Sequence, residues 1–138
     1  MLAFDLDGIF ISELVKRPDK ELMTVITEKA DNILPFFKIE HPYYVITSRK
    51  AAIAKDTRQW FEAMLDPQHQ PQKIFHDNDG PDNAITYKAF VLNRHPEVKV
   101  FFESDLEQVN ELKNMVHCPV VHFDELINSA INLYVEGL

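Results

Sequence analysis

Short apolar runs alternate along this chain with longer segments in which apolar residues recur at helical spacing. The apolar runs have the length of β-strands and are bounded by polar or turn-forming residues. We predict five strands, at Leu2 to Leu6, Tyr43 to Thr47, Lys73 to His76, Val98 to Glu103 and Val120 to Phe123. The segments with helical spacing predict five helices, at about Asp19 to Phe37, Lys50 to Leu65, Asn83 to Asn93, Leu106 to Met115 and Asp124 to Val135.

Each predicted strand is followed by a predicted helix, and this order determines the fold class. Repeated strand–helix units form a parallel sheet with right-handed crossovers and helices on both faces. We therefore predict an α/β fold, a three-layer Rossmann-like parallel sheet of about five strands. The 138 residues can build a full core without disulfides, and no linker is long enough to divide them. A single domain over residues 1–138 is the expectation.

Composition and charge exclude several functional classes. Hydrophobic residues make up 46% of the chain, but no apolar run approaches the length of a membrane span. Cys118 is the only cysteine and the chain begins with strand-like sequence rather than a secretion signal, so we expect a soluble protein in the reducing cytoplasm. The net charge of -8 repels phosphate backbones, so long nucleic acid is not an expected partner.

The ends of the predicted strands carry the candidate chemistry, because parallel sheets bind ligands beyond the carboxyl ends of their strands. Asp5 and Asp7 end the first strand at a spacing that lets both carboxylates face one cation, and Gly8 then permits a sharp turn. An ordinary Asp-Gly turn is the alternative explanation. Polar residues also end the later strands, at Thr47-Ser48-Arg49, His76-Asp77, Glu103-Ser104-Asp105 and His122-Phe123-Asp124.

Three of these strand ends, together with Lys88 on a predicted helix, resemble in chain order the four motifs of the haloacid dehalogenase superfamily of phosphohydrolases. They are Phe4-Asp5-Leu6-Asp7-Gly8, Val45-Ile46-Thr47-Ser48-Arg49, Lys88, and Val100-Phe101-Phe102-Glu103-Ser104-Asp105. The resemblance covers residues 1 to about 125. It implies a Mg²⁺-dependent phosphatase that forms an aspartyl-phosphate intermediate.

The resemblance also implies a role for each catalytic residue. Asp5 would attack phosphorus, and Asp7 would transfer protons to the leaving group and from water. Thr47 would donate its hydroxyl to a phosphoryl oxygen, and Lys88 would supply fixed positive charge. Taken alone, Thr47 also suits a strand, and Lys88 also suits a solvated helix face.

The metal and substrate contacts follow from the same resemblance. Mg²⁺ would be held by Asp5, by the backbone carbonyl of Asp7 and by Glu103, Asp105 or both. Ser104 interrupts the fourth motif, and we favour Glu103 because it directly ends the apolar strand. For the substrate we expect contacts with Gly8, Ser48 and Arg49, although Arg49 could equally pair with an acid.

The spacing of the motifs leaves no room for a substantial cap over the site. We expect an open site covered mainly by Gly8 to Lys20, and a small phosphorylated substrate such as a nucleotide. His76 and Asp77 open a polar turn beside the site, either to touch substrate or to cap the next helix. The oligomeric state is open, and a second copy of the chain is one source of further cover.

Two other functional classes remain as alternatives. Signalling receiver domains share the five-unit sheet and an acidic metal pocket, but their first acids are adjacent and a lysine ends their fifth strand. The other alternative is a non-catalytic relative that only binds a nucleotide or a partner, and the intact Asp5 and Asp7 pair argues against it.

Overall fold

The computed structural model describes residues 1–10, 39–51, 54–77 and 84–126. The strands are β1 (Leu2–Phe4), β2 (Tyr43–Lys50), β3 (Lys73–Asp77), β4 (Val100–Glu103) and β5 (Val120–His122). Among the described residues the helices are α1 (Ala54–Met64), α2 (Ala84–Arg94) and α3 (Leu106–Leu112), and a 3₁₀ helix spans Pro67–His69. The predicted helix at 19–37 lies outside the described residues, as does most of the one at 124–135.

The five strands form one parallel sheet in the order β3-β2-β1-β4-β5. In β1, Ala3 pairs with Tyr44 on one side and with Phe101 on the other, so β1 is the central strand. The chain moves outward from β1 through β2 to β3, and then crosses to β4 and β5 on the opposite side. The order therefore reverses between β1 and β4, which is where open α/β sheets place their ligand crevice.

Helices cover both faces of this sheet, and the strand alternation explains how. Neighbouring residues in β1 point to opposite faces. Phe4 packs in one core cluster with Trp60 of α1, whereas Ala3 packs in a second with Leu92 of α2 and Leu112 of α3. Both clusters consist of fully or nearly fully buried side chains. The predicted three-layer α/β fold is confirmed.

Two of the predicted boundaries were wrong near the second strand. β2 continues to Lys50, three residues beyond the predicted end, and α1 begins at Ala54 rather than Lys50. The pairing of β2 with β3 is irregular in this extension, since Thr47 pairs with His76 while Lys50 pairs with the next residue, Asp77. The irregular segment places Arg49 at the carboxyl edge of the sheet, and apolar periodicity gives no sign of it.

None of the helices in the described part of the chain has the length and apolar composition needed to cross a membrane. Most of the interval between Gly8 and Lys20, which we expect to cover the site, lies outside the described residues.

Candidate active site

In the described part of the chain, five charged side chains lie buried where the sheet order reverses. We call them the charged cluster: Asp5 and Asp7 after β1, Arg49 in β2, Lys88 in α2 and Glu103 at the end of β4. Each is at most 5% exposed. Because ions are costly to remove from water, such a group is stable only when opposite charges are paired. Three carboxylates and two cations leave one net negative charge when all are ionised.

Asp5 lies at the centre of this cluster. Its Oδ1 accepts a hydrogen bond from the backbone N–H of Leu6 at 2.9 Å and lies 3.4 Å from Nζ of Lys88. Its Oδ2 lies 3.2 Å from the hydroxyl of Ser104. The carboxylate is therefore fixed in orientation by contacts from three different chain segments.

Lys88 connects Asp5 to Glu103. Its Nζ donates to Oε2 of Glu103 at 2.8 Å and to Oε1 of Gln108 at 2.9 Å. Burial lowers the pKa of Lys88, but the charges of Asp5 and Glu103 outweigh burial and raise it overall. Lys88 is 1% exposed, which excludes the interpretation of a solvated helix lysine.

The environment of Glu103 favours its protonated form. Burial first, and the negative charge of Asp5 second, raise the pKa of Glu103 well above its usual range, although Lys88 opposes this. Its Oε1 accepts from the backbone N–H groups of Ser104 and Asp105 at 3.1 and 3.3 Å. Both of its oxygens thus face protein donors.

Arg49 binds Asp7 in a forked, buried ion pair. Nη2 of Arg49 donates to Oδ1 of Asp7 at 2.7 Å, and Nε donates to Oδ2 at 3.0 Å and Oδ1 at 3.3 Å. Of the two interpretations left open for Arg49, the structure therefore shows pairing with an acid. Thr47, fully buried, accepts from the backbone N–H of Arg49 at 3.1 Å and so supports the irregular end of β2.

The turn after Asp7 has the shape that the sequence predicts. Gly8 has a φ of 86°, in the left-handed region that glycine enters without steric cost. Ser48, the other predicted substrate contact in this region, is half-buried in β2.

Ser104 is the site residue that sequence reasoning missed. Its hydroxyl donates to the backbone carbonyl oxygen of Asp7 at 2.7 Å and lies 3.2 Å from Oδ2 of Asp5. The family resemblance assigns both the Asp5 carboxylate and the Asp7 carbonyl to Mg²⁺, so Ser104 contacts two of the expected ligands. The sequence places Ser104 directly after a predicted strand, which is the one sign of a role in the site. That β4 lies next to β1, where the sheet order reverses, is seen only in the structure.

Asp105 caps helix α3. Its Oδ1 accepts from the backbone N–H groups of Glu107 and Gln108 at 2.9 and 3.5 Å. This is a typical helix N-cap, which satisfies amide groups that the helix leaves unpaired. Of the two acids predicted as alternatives for the metal, Glu103 contacts Lys88 and Asp105 contacts the helix terminus.

Three oxygen atoms at and near Asp5 are of the type that binds a hard cation. Oδ2 of Asp5, the Asp7 carbonyl and the Ser104 hydroxyl are oxygens, which Mg²⁺ prefers, and Mg²⁺ often takes only one or two carboxylates and keeps several waters. Only one of the three donors is charged. Among the described residues, no group of three His, Cys, Asp or Glu side chains is arranged as metal ligands.

His76 and Asp77 lie at the end of the edge strand β3. Asp77 is buried, and Nδ1 of His76 lies 3.3 Å from the carbonyl oxygen of Arg49, to which it donates. The hydroxyl of Tyr87 donates to the His76 carbonyl at 2.7 Å. The turn that follows, at 78–83, lies outside the described residues.

Comparisons with family models, with curated proteins and with solved structures return no match to this chain. The functional interpretation therefore depends on the geometry of the site and on the motifs in the sequence.

The Arg49–Asp7 pair should make a large contribution to stability. Arg49→Met leaves a buried carboxylate without its cation, so we expect the free energy of unfolding to fall by about 3–5 kcal/mol in urea titrations. Arg58→Met, at an exposed position in α1, is the matched control and should change it by less than about 0.5 kcal/mol. Equal losses in the two variants would contradict a stabilising role for the buried pair.

Glu103 should make stability depend on pH. Its pKa is higher in the folded chain than in the unfolded chain, so its contribution is complete below its ordinary pKa of 4.5 and is lost as the pH rises through the folded value. Glu103→Gln still accepts from Lys88 but does not titrate. As the pH rises above 4.5, in EDTA, the unfolding free energy of the unaltered chain should fall more steeply than that of the variant. The exposed Glu107→Gln control should follow the unaltered chain, and parallel curves for all three would refute the assignment.

Proposed function

We propose that this protein is a Mg²⁺-dependent phosphomonoesterase that acts through an aspartyl-phosphate intermediate on a small phosphoester such as a nucleotide. The observation that carries the proposal is Asp5, an oriented carboxylate at the end of the central strand with the Lys88 ammonium 3.4 Å away. A nucleophile that attacks a phosphate dianion needs positive charge beside it, and Lys88 meets this need.

The proposed reaction has two steps, transfer of the phosphoryl group to Asp5 and hydrolysis of the intermediate. An oxygen of Asp5 attacks phosphorus, the bond from phosphorus to the ester oxygen breaks, and the departing oxygen takes a proton from Asp7. A water then attacks the phosphorylated Asp5 and gives its proton to Asp7, which releases inorganic phosphate and restores the Asp5 carboxylate. Lys88 neutralises phosphoryl charge throughout.

The metal would be held by Asp5, by the backbone carbonyl of Asp7 and by Ser104. When bound, Mg²⁺ would supply charge neutralisation for the phosphoryl oxygens. The contacts of the Ser104 hydroxyl support this choice over Glu103 and Asp105. A cytoplasmic location, and substrate contacts from Gly8, Thr47 and Ser48, belong to the same proposal.

The strand order argues against the receiver alternative. Receiver domains have the order β2-β1-β3-β4-β5, so their acceptor strand β3 lies next to β1. In this chain β2 lies between β1 and β3. Asp77, at the end of β3, is therefore at the edge of the sheet, two strands away from Asp5.

Binding of a phosphoester without turnover is a second candidate function. The observation that favours it is that both oxygens of Asp7 accept hydrogen bonds from Arg49. A residue that protonates a leaving group needs one oxygen free to carry the proton. Catalysis therefore requires this pair to open, whereas simple binding does not.

A phosphate-transfer assay separates these functions. With Mg²⁺, the unaltered chain should hydrolyse members of a phosphomonoester panel, and Asp5→Asn should reduce the rate by at least about a thousandfold because the nucleophile is removed. Asp7→Asn treated with a reactive aryl phosphate should carry phosphate on Asp5, detected by mass spectrometry. Glu107→Gln is the control for loss of one nearby charge.

Binding with no hydrolysis of any panel member would support the non-catalytic candidate. A label on Asp77, or one that survives Asp5→Asn, would support the receiver alternative.

Ser104 can be tested as a metal contact by the effect of Mg²⁺ on the melting temperature. Ser104→Asp adds a carboxylate beside Asp5, so it should lower the melting temperature in EDTA and enlarge the rise that Mg²⁺ produces. Asp105→Asn keeps a good helix cap and should leave the Mg²⁺ response unchanged. If Glu103→Gln abolishes the response while Ser104→Asp does not alter it, Glu103 is the ligand.

A further inference from the structure

Arg49 is a buried cation, and two of its donor atoms face Asp7. Arg49 is 1% exposed, and its Nε and Nη2 atoms both donate to Asp7. A phosphate group presents two oxygens to a guanidinium in the same forked geometry as a carboxylate. The charged cluster therefore offers a phosphate two cations, Lys88 and Arg49.

We propose that the hydrogen bonds from Arg49 to Asp7, which we call the Arg49 latch, are exchanged for hydrogen bonds to a phosphate group when ligand binds. This inference rests on the proposed function and adds its regulation. In the closed latch both oxygens of Asp7 are engaged, so Asp7 does not transfer protons. The ligand phosphate accepts the hydrogen bonds from the guanidinium in place of Asp7. Asp7 is therefore released only when a phosphate is bound.

The backbone of Arg49 is held in place by contacts that do not involve its guanidinium. Arg49 lies within the segment where the pairing with β3 shifts register, between Thr47 and Lys50. Its backbone N–H is satisfied by the Thr47 hydroxyl, and its carbonyl accepts from His76 at 3.3 Å. These contacts of the Arg49 backbone stay in place when the guanidinium exchanges Asp7 for a phosphate.

The latch predicts that loss of the Asp7 carboxylate raises the affinity for phosphate. Closing the latch competes with ligand, so removing Asp7 as a partner should tighten phosphate binding. In calorimetric titrations with inorganic phosphate at constant ionic strength and with Mg²⁺, Asp7→Asn should bind at least about tenfold more tightly than the unaltered chain. Glu107→Gln, which removes one exposed negative charge at the same end of the sheet, should change affinity by less than about twofold.

A double variant separates the latch from a general charge effect. Arg49→Lys keeps the positive charge but not the fork, so the affinity gained by Asp7→Asn should be largely lost in Asp7→Asn with Arg49→Lys. In the unaltered chain, saturating phosphate should also shift the NMR resonance of the Arg49 Nε–H group, because its acceptor changes.

The outcomes distinguish failure of the latch from failure of the proposed function. If phosphate binds the unaltered chain, but Asp7→Asn binds no more tightly and the Arg49 resonance does not move, the latch is wrong and the phosphoester site stands. An Asp7→Asn gain that persists fully with Arg49→Lys also overturns the latch. If neither the unaltered chain nor Asp7→Asn binds phosphate, both the latch and the proposed function are wrong.

Discussion

The organisation of this site depends on the cost of burying charge at the end of the central strand. Asp5 and Asp7 are each 5% exposed, and two carboxylates so close to a hydrophobic core are stable only with cations beside them. One strand and one helix, far apart in the sequence, provide these cations. Arg49 from the end of β2 pairs with Asp7, and Lys88 from α2 lies against Asp5 and Glu103.

The same constraint bears on the proposed phosphate ligand. The cations are held in place by the acids before any ligand arrives, so a phosphate meets positive charge that is already oriented and largely removed from water. The buried cluster retains one excess negative charge when all its members are ionised, which a proton on Glu103 or a divalent cation can offset. We regard this balance as the basis of both the proposed catalysis and the latch.

Much of the fold follows from local sequence pattern, whereas the pairings within the site do not. Five apolar runs predicted the five strands, and Gly8 predicted the turn after Asp7, because both depend on neighbouring residues. The partner of Arg49 depends on the irregular end of β2, which is a tertiary feature with no periodic signal. Ser104 was read as an interruption because its role depends on which strand lies next to β4.

The central claim is that Asp5 accepts a phosphoryl group. Trifluoroberyllate with Mg²⁺ mimics that state by binding an aspartate carboxylate, and ¹⁹F NMR detects the bound fluorides directly. We expect bound resonances for the unaltered chain and their loss in Asp5→Asn, with Glu107→Gln as the matched control. Absence of bound resonances in the unaltered chain, or their persistence in Asp5→Asn, would contradict it.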